Sequence, residues 1–170
     1  MSVTTLISED EYLRTSYPDL DCEFCDGEVI ERAMPTSLHS ETQELVSGFF
    51  LILRRHRGIP IYARPELRTK MRPAKYRIPD VSVYWPAKPR NPIPEIRALV
   101  AIEIMSSDDT LEGLSRKLRE YLDLGIPHVW LVDPITRLFY AFDHRRLHRV
   151  PDYPLPEIGV TVQPSDFFEA

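Results

Sequence analysis

Hydrophobic and polar positions recur along this chain with two periods, which separate predicted helices from predicted strands. Apolar residues repeat at helical spacing over residues 37–58 and 108–125, and both segments end at a glycine, a residue common just past a helix end. A shorter helix is predicted after Ser8, because Ser8 and Glu11 form a capping-box pattern. The apolar stripes predicted to be buried are Leu38, Leu45, Phe49, Ile52 and Leu53 in the first long helix, and Leu111, Leu114, Leu118, Tyr121 and Leu122 in the second.

Short alternating or continuous apolar runs predict the strands. Asp26-Gly27 divides one hairpin, and a turn at Pro73-Ala74 joins two further strands. A strand, the second long helix and another strand then follow in order, so the helix is expected to cross between two parallel strands. With the neighbouring hairpins, this order predicts an α/β fold with a mixed central sheet flanked by helices. The predicted strand segments are 59–72, 76–85, 99–105, 128–134 and 138–144, and residues 86–97 form a proline-rich loop.

Length and composition indicate one domain over residues 1–170, long enough to bury a core without disulfides. No apolar run is long enough to cross a bilayer, and acidic residues occupy the N-terminal region where a signal peptide needs an apolar segment. These features predict a cytoplasmic protein. Cys22 and Cys25 could belong to a zinc site or a redox pair, but on a strand they point to opposite faces, which favours two reduced thiols.

The net charge of −5 argues against a nucleic-acid partner, but the charge is unevenly distributed. Residues 54–77 carry nine lysines and arginines against one acid, whereas the other 146 residues carry twelve basic and twenty-five acidic side chains. This basic segment could bind phosphates, or it could be a solvated, charged edge strand.

Two carboxylates lie in apolar surroundings. Glu103 sits within a continuous apolar run, and Asp80 is predicted to lie inside a second strand. A buried carboxylate is costly unless a positive or hydrogen-bonding group meets it. If the two acids meet on adjacent strands, they must share a proton or hold a cation, and oxygen ligands favour Mg²⁺ or Mn²⁺. The alternative is that each acid pairs separately with an arginine.

Several short motifs occur together in a specific order. IPD at 78–80, IEIMSS at 102–107 and YLDLGIPHVWLVDP at 121–134 follow CEFCDGEVI at 22–30 and the Pro35, His39 pair. In this order they resemble the Uma family of restriction-endonuclease-like proteins, within the PD-(D/E)xK nuclease superfamily. The resemblance covers nearly the whole chain. It implies a restriction-endonuclease-like fold and metal-dependent cleavage of DNA phosphodiesters.

The same resemblance implies roles for particular residues. Asp80 and Glu103 would be the metal ligands and catalytic acids, and Glu23 and His39 match positions of the family's N-terminal motif. Glu23 could instead pair with a basic neighbour, and His39 could be a surface or capping residue at a helix start.

One position departs from the superfamily pattern. That pattern places a lysine two residues after the second acid, where this chain has Met105. The family resembles superfamily variants whose lysine has moved to the following helix, which makes Lys117 the candidate. Lys117 is also the charged residue nearest the predicted apolar stripe of that helix, although a lysine bordering the core would occupy the same position.

The leading hypothesis is therefore a Mg²⁺-dependent DNA endonuclease in which Lys117 orients or deprotonates the attacking water. The main alternative is a catalytically inactive nuclease-like module that binds nucleic acid or protein. A purely structural domain would require Asp80 and Glu103 to lie far apart. Cleavage of both DNA strands would favour a homodimer, an expectation that comes from the reaction and not from any residue.

Overall fold

The computed structural model describes residues 6–143 and 146–168. The helices are α1 (Glu9–Arg14), α2 (Ser37–Arg57), α3 (Leu111–Asp123) and α4 (Pro164–Phe167), with a 3-10 turn at Pro156–Ile158. The first six strands are β1 (Glu23–Cys25), β2 (Glu28–Ile30), β3 (Tyr62–Pro65), β4 (Thr69–Arg72), β5 (Lys75–Arg77) and β6 (Val81–Tyr84). The remaining strands are β7 (Val100–Ile104), β8 (His128–Asp133), β9 (Leu138–Asp143), β10 (Arg146–Val150), β11 (Tyr153–Leu155) and β12 (Val160–Val162).

A six-stranded sheet of order β10-β9-β8-β7-β6-β3 runs through the centre of the fold. Strands β7 and β8 are parallel and are connected by α3, whereas the other neighbours in this sheet are antiparallel. This arrangement confirms the predicted α/β fold with a mixed sheet, including the helix that crosses between two parallel strands.

Both faces of the main sheet are covered by apolar packing. On one face, α2 packs through Val46, Phe50 and Leu53 together with the C-terminal β11–β12 hairpin. On the opposite face, α3 packs through Leu114 and Leu118. Glu103 therefore lies in a strand that is buried along its whole length.

A second sheet, of order β2-β1-β5-β4, has its own small core. Tyr12 of α1 stacks on Phe24 with ring centroids 4.7 Å apart, and Tyr76 completes the cluster. The prediction of two continuous strands over 59–72 and 76–85 was wrong, because each segment divides between the two sheets: β3 and β6 join the main sheet, and β4 and β5 join the small one. The break between β3 and β4 falls at Glu66, which has a φ of 51°. Asp80 consequently lies in the loop just before β6 and not inside a strand.

The predicted helix ends are close to the observed ones, but the predicted stripes are partly wrong. The Ser8 side chain accepts a hydrogen bond from the backbone N–H of Glu11, as the capping pattern predicts. In α2, however, Leu38 and Ile52 are 41% and 58% exposed. In the first turns of α2, His39 and Thr42 are buried instead, and His39 contacts Asp80. The buried residues of α2 are His39, Thr42, Val46, Phe50 and Leu53.

The stripe of α3 agrees better with the prediction. Leu114, Leu118 and Tyr121 are buried, whereas Leu111 in the first turn is 67% exposed. Both cysteines are free thiols, as predicted. None of the helices in the described ranges combines the length and the apolar character needed to cross a bilayer.

Candidate active site

The ends of two neighbouring strands bring the predicted acids together. Strand β6 pairs with β7 so that Val81 lies opposite Ile102, and this register places Asp80 beside Glu103. The backbone N–H of Ile104 donates a 2.8 Å hydrogen bond to Oδ2 of Asp80. Both carboxyl groups are buried, with Asp80 5% and Glu103 3% exposed. Asp80, in the loop before β6, and Glu103, near the end of β7, therefore form a pair of neighbouring acids.

Glu103 has two partners on α3. Nζ of Lys117 lies 2.9 Å from Oε2, and the Tyr121 hydroxyl donates a 2.6 Å hydrogen bond to Oε1. Burial raises the pKa of Glu103 to about 7, with the negative charge of Asp80 acting in the same direction and Lys117 opposing it. Glu103 therefore carries an incomplete negative charge near neutral pH.

Lys117 and Tyr121 reach Glu103 because they are four residues apart, on one face of the helix. Burial would lower the pKa of Lys117, but the carboxylates of Glu103 and Glu23 more than offset this and hold the pKa above its ordinary value. The ammonium therefore stays protonated at neutral pH.

Glu23 reaches the same lysine from the small sheet. Its Oε1 lies 3.1 Å from Nζ of Lys117 and accepts a hydrogen bond from the backbone N–H of Ile78. Its Oε2 lies 2.6 Å from Nη1 of Arg77, which also binds Glu120 of α3. Burial alone would raise the pKa of Glu23, but Lys117 and Arg77 lower it below the ordinary value. Lys117 thus forms ion pairs with Glu103 of the main sheet and with Glu23 of the small sheet.

Asp80 is held by two side chains from outside the sheets. Nε2 of His39, in the first turn of α2, lies 3.2 Å from Oδ2, and Nη2 of Arg32 lies 3.1 Å from Oδ1. Burial would raise the pKa of Asp80, but the hydrogen bond from His39 and the charge of Lys117 lower it. Burial in turn disfavours protonated His39, but Asp80 raises its pKa above the ordinary value. Among the residues that the structure describes, none forms a hydrogen bond with the buried Nδ1 of His39.

Sequence reasoning missed Arg32. It lies in the loop between β2 and α2, where no periodicity assigns a direction to its side chain. It contacts Asp80 and, at 3.5 Å, Glu66, a residue at the break between β3 and β4. Since that break was not predicted, the sequence offered no signal that would have placed Arg32 here.

One open cleft of about 180 Å³ lies at the centre of this arrangement. All five side chains selected from the sequence border it, together with Arg32 and the exposed Asp109. The five are Glu23, His39, Asp80, Glu103 and Lys117. The alternative in which each acid pairs with an arginine of its own does not describe Glu103, whose partners are a lysine and a tyrosine.

Asp80 and Glu103 are the two buried carboxylates at the centre of the cleft that could hold a metal ion. Within the part of the chain that the structure describes, no group of three or more His, Cys, Asp or Glu side chains is arranged to hold a metal. Mg²⁺ is often bound by only one or two carboxylates, with water and substrate phosphate completing its shell. Asp80 and Glu103 fit that donor set, and the raised pKa of Glu103 indicates a site where additional positive charge is favourable.

Fold and site together define a restriction-endonuclease-like α/β protein with an Asp, Glu and Lys cleft. Residues 9–169 match the model of the family Uma2, described as "Putative restriction endonuclease", and the chain belongs to this family.

A solved structure supports the fold. A crystal structure of a "putative nuclease belonging to DUF820" from Anabaena variabilis ATCC 29413 superposes with a TM-score of 0.78 at 24% identity, covering 95% of this chain and 97% of that one. A cryo-EM structure of a DrdV–DNA complex gives a TM-score of only 0.34 at 14% identity, over 77% of this chain and 13% of that one. None of the curated proteins matches this chain.

Proposed function

We propose that this protein is a metal-dependent endonuclease that hydrolyses DNA phosphodiester bonds. The observation that carries the proposal is the position of Lys117, whose ammonium lies 2.9 Å from Glu103 in the cleft that also contains Asp80. A lysine from α3 thereby stands beside the second acid, although the residue two positions after that acid, just past the end of β7, is Met105.

In this proposal, Asp80 and Glu103 hold Mg²⁺ or Mn²⁺. The bound ion would polarise the scissile phosphate and lower the pKa of a coordinated water. Asp80 suits this role because its lowered pKa keeps it ionised at neutral pH. Its other contacts, with Arg32 and the N–H of Ile104, fix the direction of the carboxylate.

Lys117 acts as a hydrogen-bond donor in this mechanism. Because its pKa is raised, the ammonium holds its proton at neutral pH and is a poor general base. To donate to an attacking water or to a phosphate oxygen, it would give up one of its three present acceptors, which are Glu103, Glu23 and the backbone carbonyl of Ile78. Of the two roles expected for this lysine, orientation of water is favoured over deprotonation.

The positive groups of the cleft suit an anionic substrate. Arg32 and Lys117 both border the opening, and Arg32 presents a planar guanidinium that can bind a phosphate through two hydrogen bonds. These groups already neutralise the acids in the structure. The same observation would fit an inactive nucleic-acid-binding module, so activity must be measured directly.

The test is nicking of supercoiled plasmid DNA with Mg²⁺, with Mn²⁺ and with EDTA. We expect nicking with either metal, none in EDTA, and none with Asp80→Asn, while Asp133→Asn retains nicking. Asp133 is a matched control because it is also a buried acid, but it accepts its hydrogen bonds from Ile135 and Thr136 in the β8–β9 turn.

Two outcomes would count against the proposal. Nicking that persists in purified Asp80→Asn protein would indicate a contaminating nuclease. No nicking by the wild-type protein with any metal would favour the inactive module.

A further inference from the structure

Ion pairs divide the basic segment of residues 54–77 into two halves. Each basic residue of the second half pairs with an acid elsewhere in the fold, so this half is neutralised. The pairs are Arg68 with Asp21, Lys70 with Glu9, Arg72 with Asp26, Lys75 with Glu120, and Arg77 with both Glu23 and Glu120. Within the described ranges, no carboxylate lies at ion-pair distance from the arginines of the first half, which are Arg54, Arg55, Arg57 and Arg64.

Two of these four arginines converge on one aromatic ring. The guanidinium carbon of Arg54 lies 5.3 Å from the ring centroid of Tyr62, and that of Arg64 lies 5.9 Å from the same centroid. Arg64 also donates a 2.7 Å hydrogen bond to the carbonyl of Ala63. Both side chains are only partly exposed. Cation–π contacts orient the two guanidinium groups but do not neutralise them, and no described carboxylate lies at ion-pair distance from either group.

The two arginines line a groove between α2 and the edge strand β3. The groove has a volume of about 550 Å³ and an apolar floor that includes Leu51 and Ile61. Its polar lining includes Ser47, whose hydroxyl has no hydrogen-bond partner within residues 6–143 and 146–168. Glu44, which is exposed, is the acid among the lining residues. The groove therefore combines apolar surface with a net positive charge.

One end of the groove reaches the candidate active site. Gln43 lines the groove and donates a 2.8 Å hydrogen bond to the backbone carbonyl of Asp80. On the strand side, Pro65 pairs with Val81, the residue after Asp80. At a rise of about 1.5 Å per residue, Arg54 lies roughly 16 Å along the helix from Gln43. This span corresponds to about five nucleotides of a strand at about 3.4 Å each.

We propose that this groove binds the sugar–phosphate backbone of a nucleic-acid strand leaving the cleft, with Arg54 and Arg64 together contacting its phosphates. The inference rests on the proposed function, because it identifies the bound strand as the substrate. Charge and position support a nucleic acid: the free guanidiniums suit phosphate, the apolar floor suits sugars and bases, and the groove ends beside Asp80.

The test measures binding of fluorescently labelled single-stranded and duplex oligonucleotides by anisotropy in EDTA, where metal-dependent cleavage cannot occur. Arg54→Gln/Arg64→Gln is compared with Arg55→Gln/Arg57→Gln. Both double variants remove two positive charges, but Arg55 and Arg57 are exposed and do not line the groove. Thermal unfolding of both variants checks that each retains its fold.

We expect the groove variant to bind at least about tenfold more weakly than the wild type at low salt, and the control to change less than about threefold. The slope of log affinity against log salt should decrease by about 1.4 to 1.8 in the groove variant, since each lost phosphate contact contributes roughly 0.7 to 0.9. Arg54→Lys/Arg64→Lys should restore most of the slope, because the charge returns without the planar fork.

Equal losses in the two double variants would overturn the inference, since they would reflect net charge and not the groove. Absence of oligonucleotide binding by the wild-type protein would also overturn it. Failure of the proposed function is observed separately, as absence of metal-dependent nicking in a protein that still binds DNA through the groove.

Discussion

Replacing Glu103 by glutamine should change how stability depends on pH. The carboxyl group of Glu103 is 3% exposed, and its pKa is raised from the ordinary 4.5 to about 7 by burial and by Asp80, against the effect of Lys117. Between these two pH values the folded protein holds a proton that the unfolded chain releases. The contribution of Glu103 to the free energy of unfolding therefore falls as the pH rises from 4.5 to 7.

The size of this effect follows from the shift. At about 1.36 kcal/mol per pKa unit, a rise from 4.5 to about 7 corresponds to about 3 kcal/mol. Glutamine does not titrate, and it can still meet Tyr121 and Lys117 through its amide group. The free energy of unfolding of Glu103→Gln minus that of the wild type should increase by about 3 kcal/mol over this window.

Urea unfolding in EDTA at a series of pH values measures this difference. The fluorescence of Trp130, which is buried in the main core, reports unfolding. Excess Mg²⁺ should flatten the pH dependence of the wild type, because a bound cation favours ionised Glu103. A difference that stays constant between pH 4.5 and 7, or that decreases, would refute the assignment of a raised pKa to Glu103.

Two further substitutions test other contacts. Lys117→Met should reduce metal-dependent nicking by about two to four orders of magnitude. It should also destabilise the fold by about 3–5 kcal/mol, because it leaves two buried carboxylates without their shared cation. Full nicking activity would exclude a role for this lysine, and partial recovery in Lys117→Met/Met105→Lys would support the idea that Lys117 replaces a lysine at position 105. Tyr153→Phe should cost about 1–3 kcal/mol in urea unfolding, because the hydroxyl contacts the carbonyl of Leu131 and the backbone N–H of Tyr140; a loss below about 0.5 kcal/mol would show that these contacts contribute little.

Much of the fold could be predicted because local patterns and topology agreed. The apolar strand, capped helix and second apolar strand between residues 99 and 134 admit few arrangements, and the observed parallel pair with its crossing helix is the expected one. The hairpins at Asp26-Gly27 and after Asp133 were predicted because turn residues interrupt two apolar runs.

The division of residues 59–85 between two sheets could not be predicted. Strands β3 and β4 are separated by only three residues, and nothing in their alternation shows that they belong to different sheets. Strands β5 and β6 are likewise separated by only three residues that form no strand. Long-range pairing with β1 and β7 decides which sheet each strand joins, and that pairing is not encoded in a local window.

The candidate site shows the same limit. Family motifs placed Asp80, Glu103 and Lys117, and the structure brings their side chains to one cleft. His39 was expected only as a match to a motif, because a histidine at a helix start is most often exposed; its burial follows from its contact with Asp80. Arg32 was not predicted, because its contact depends on the exact path of an irregular loop.

The placement of Glu23 on the small sheet makes the cleft a joint between two separately packed parts of the chain. Tyr12, Phe24 and Tyr76 form a core that does not extend into the main sheet's cores, so the small sheet is tied to the main one partly through ion pairs at the cleft. A ligand that draws Lys117 away from Glu23 would loosen this joint, and one that bridges both acids would tighten it. We therefore expect ligand binding in the cleft to be coupled to the docking of the two sheets, and hydrogen exchange of the amides of β1, the strand that carries Glu23, would measure this coupling.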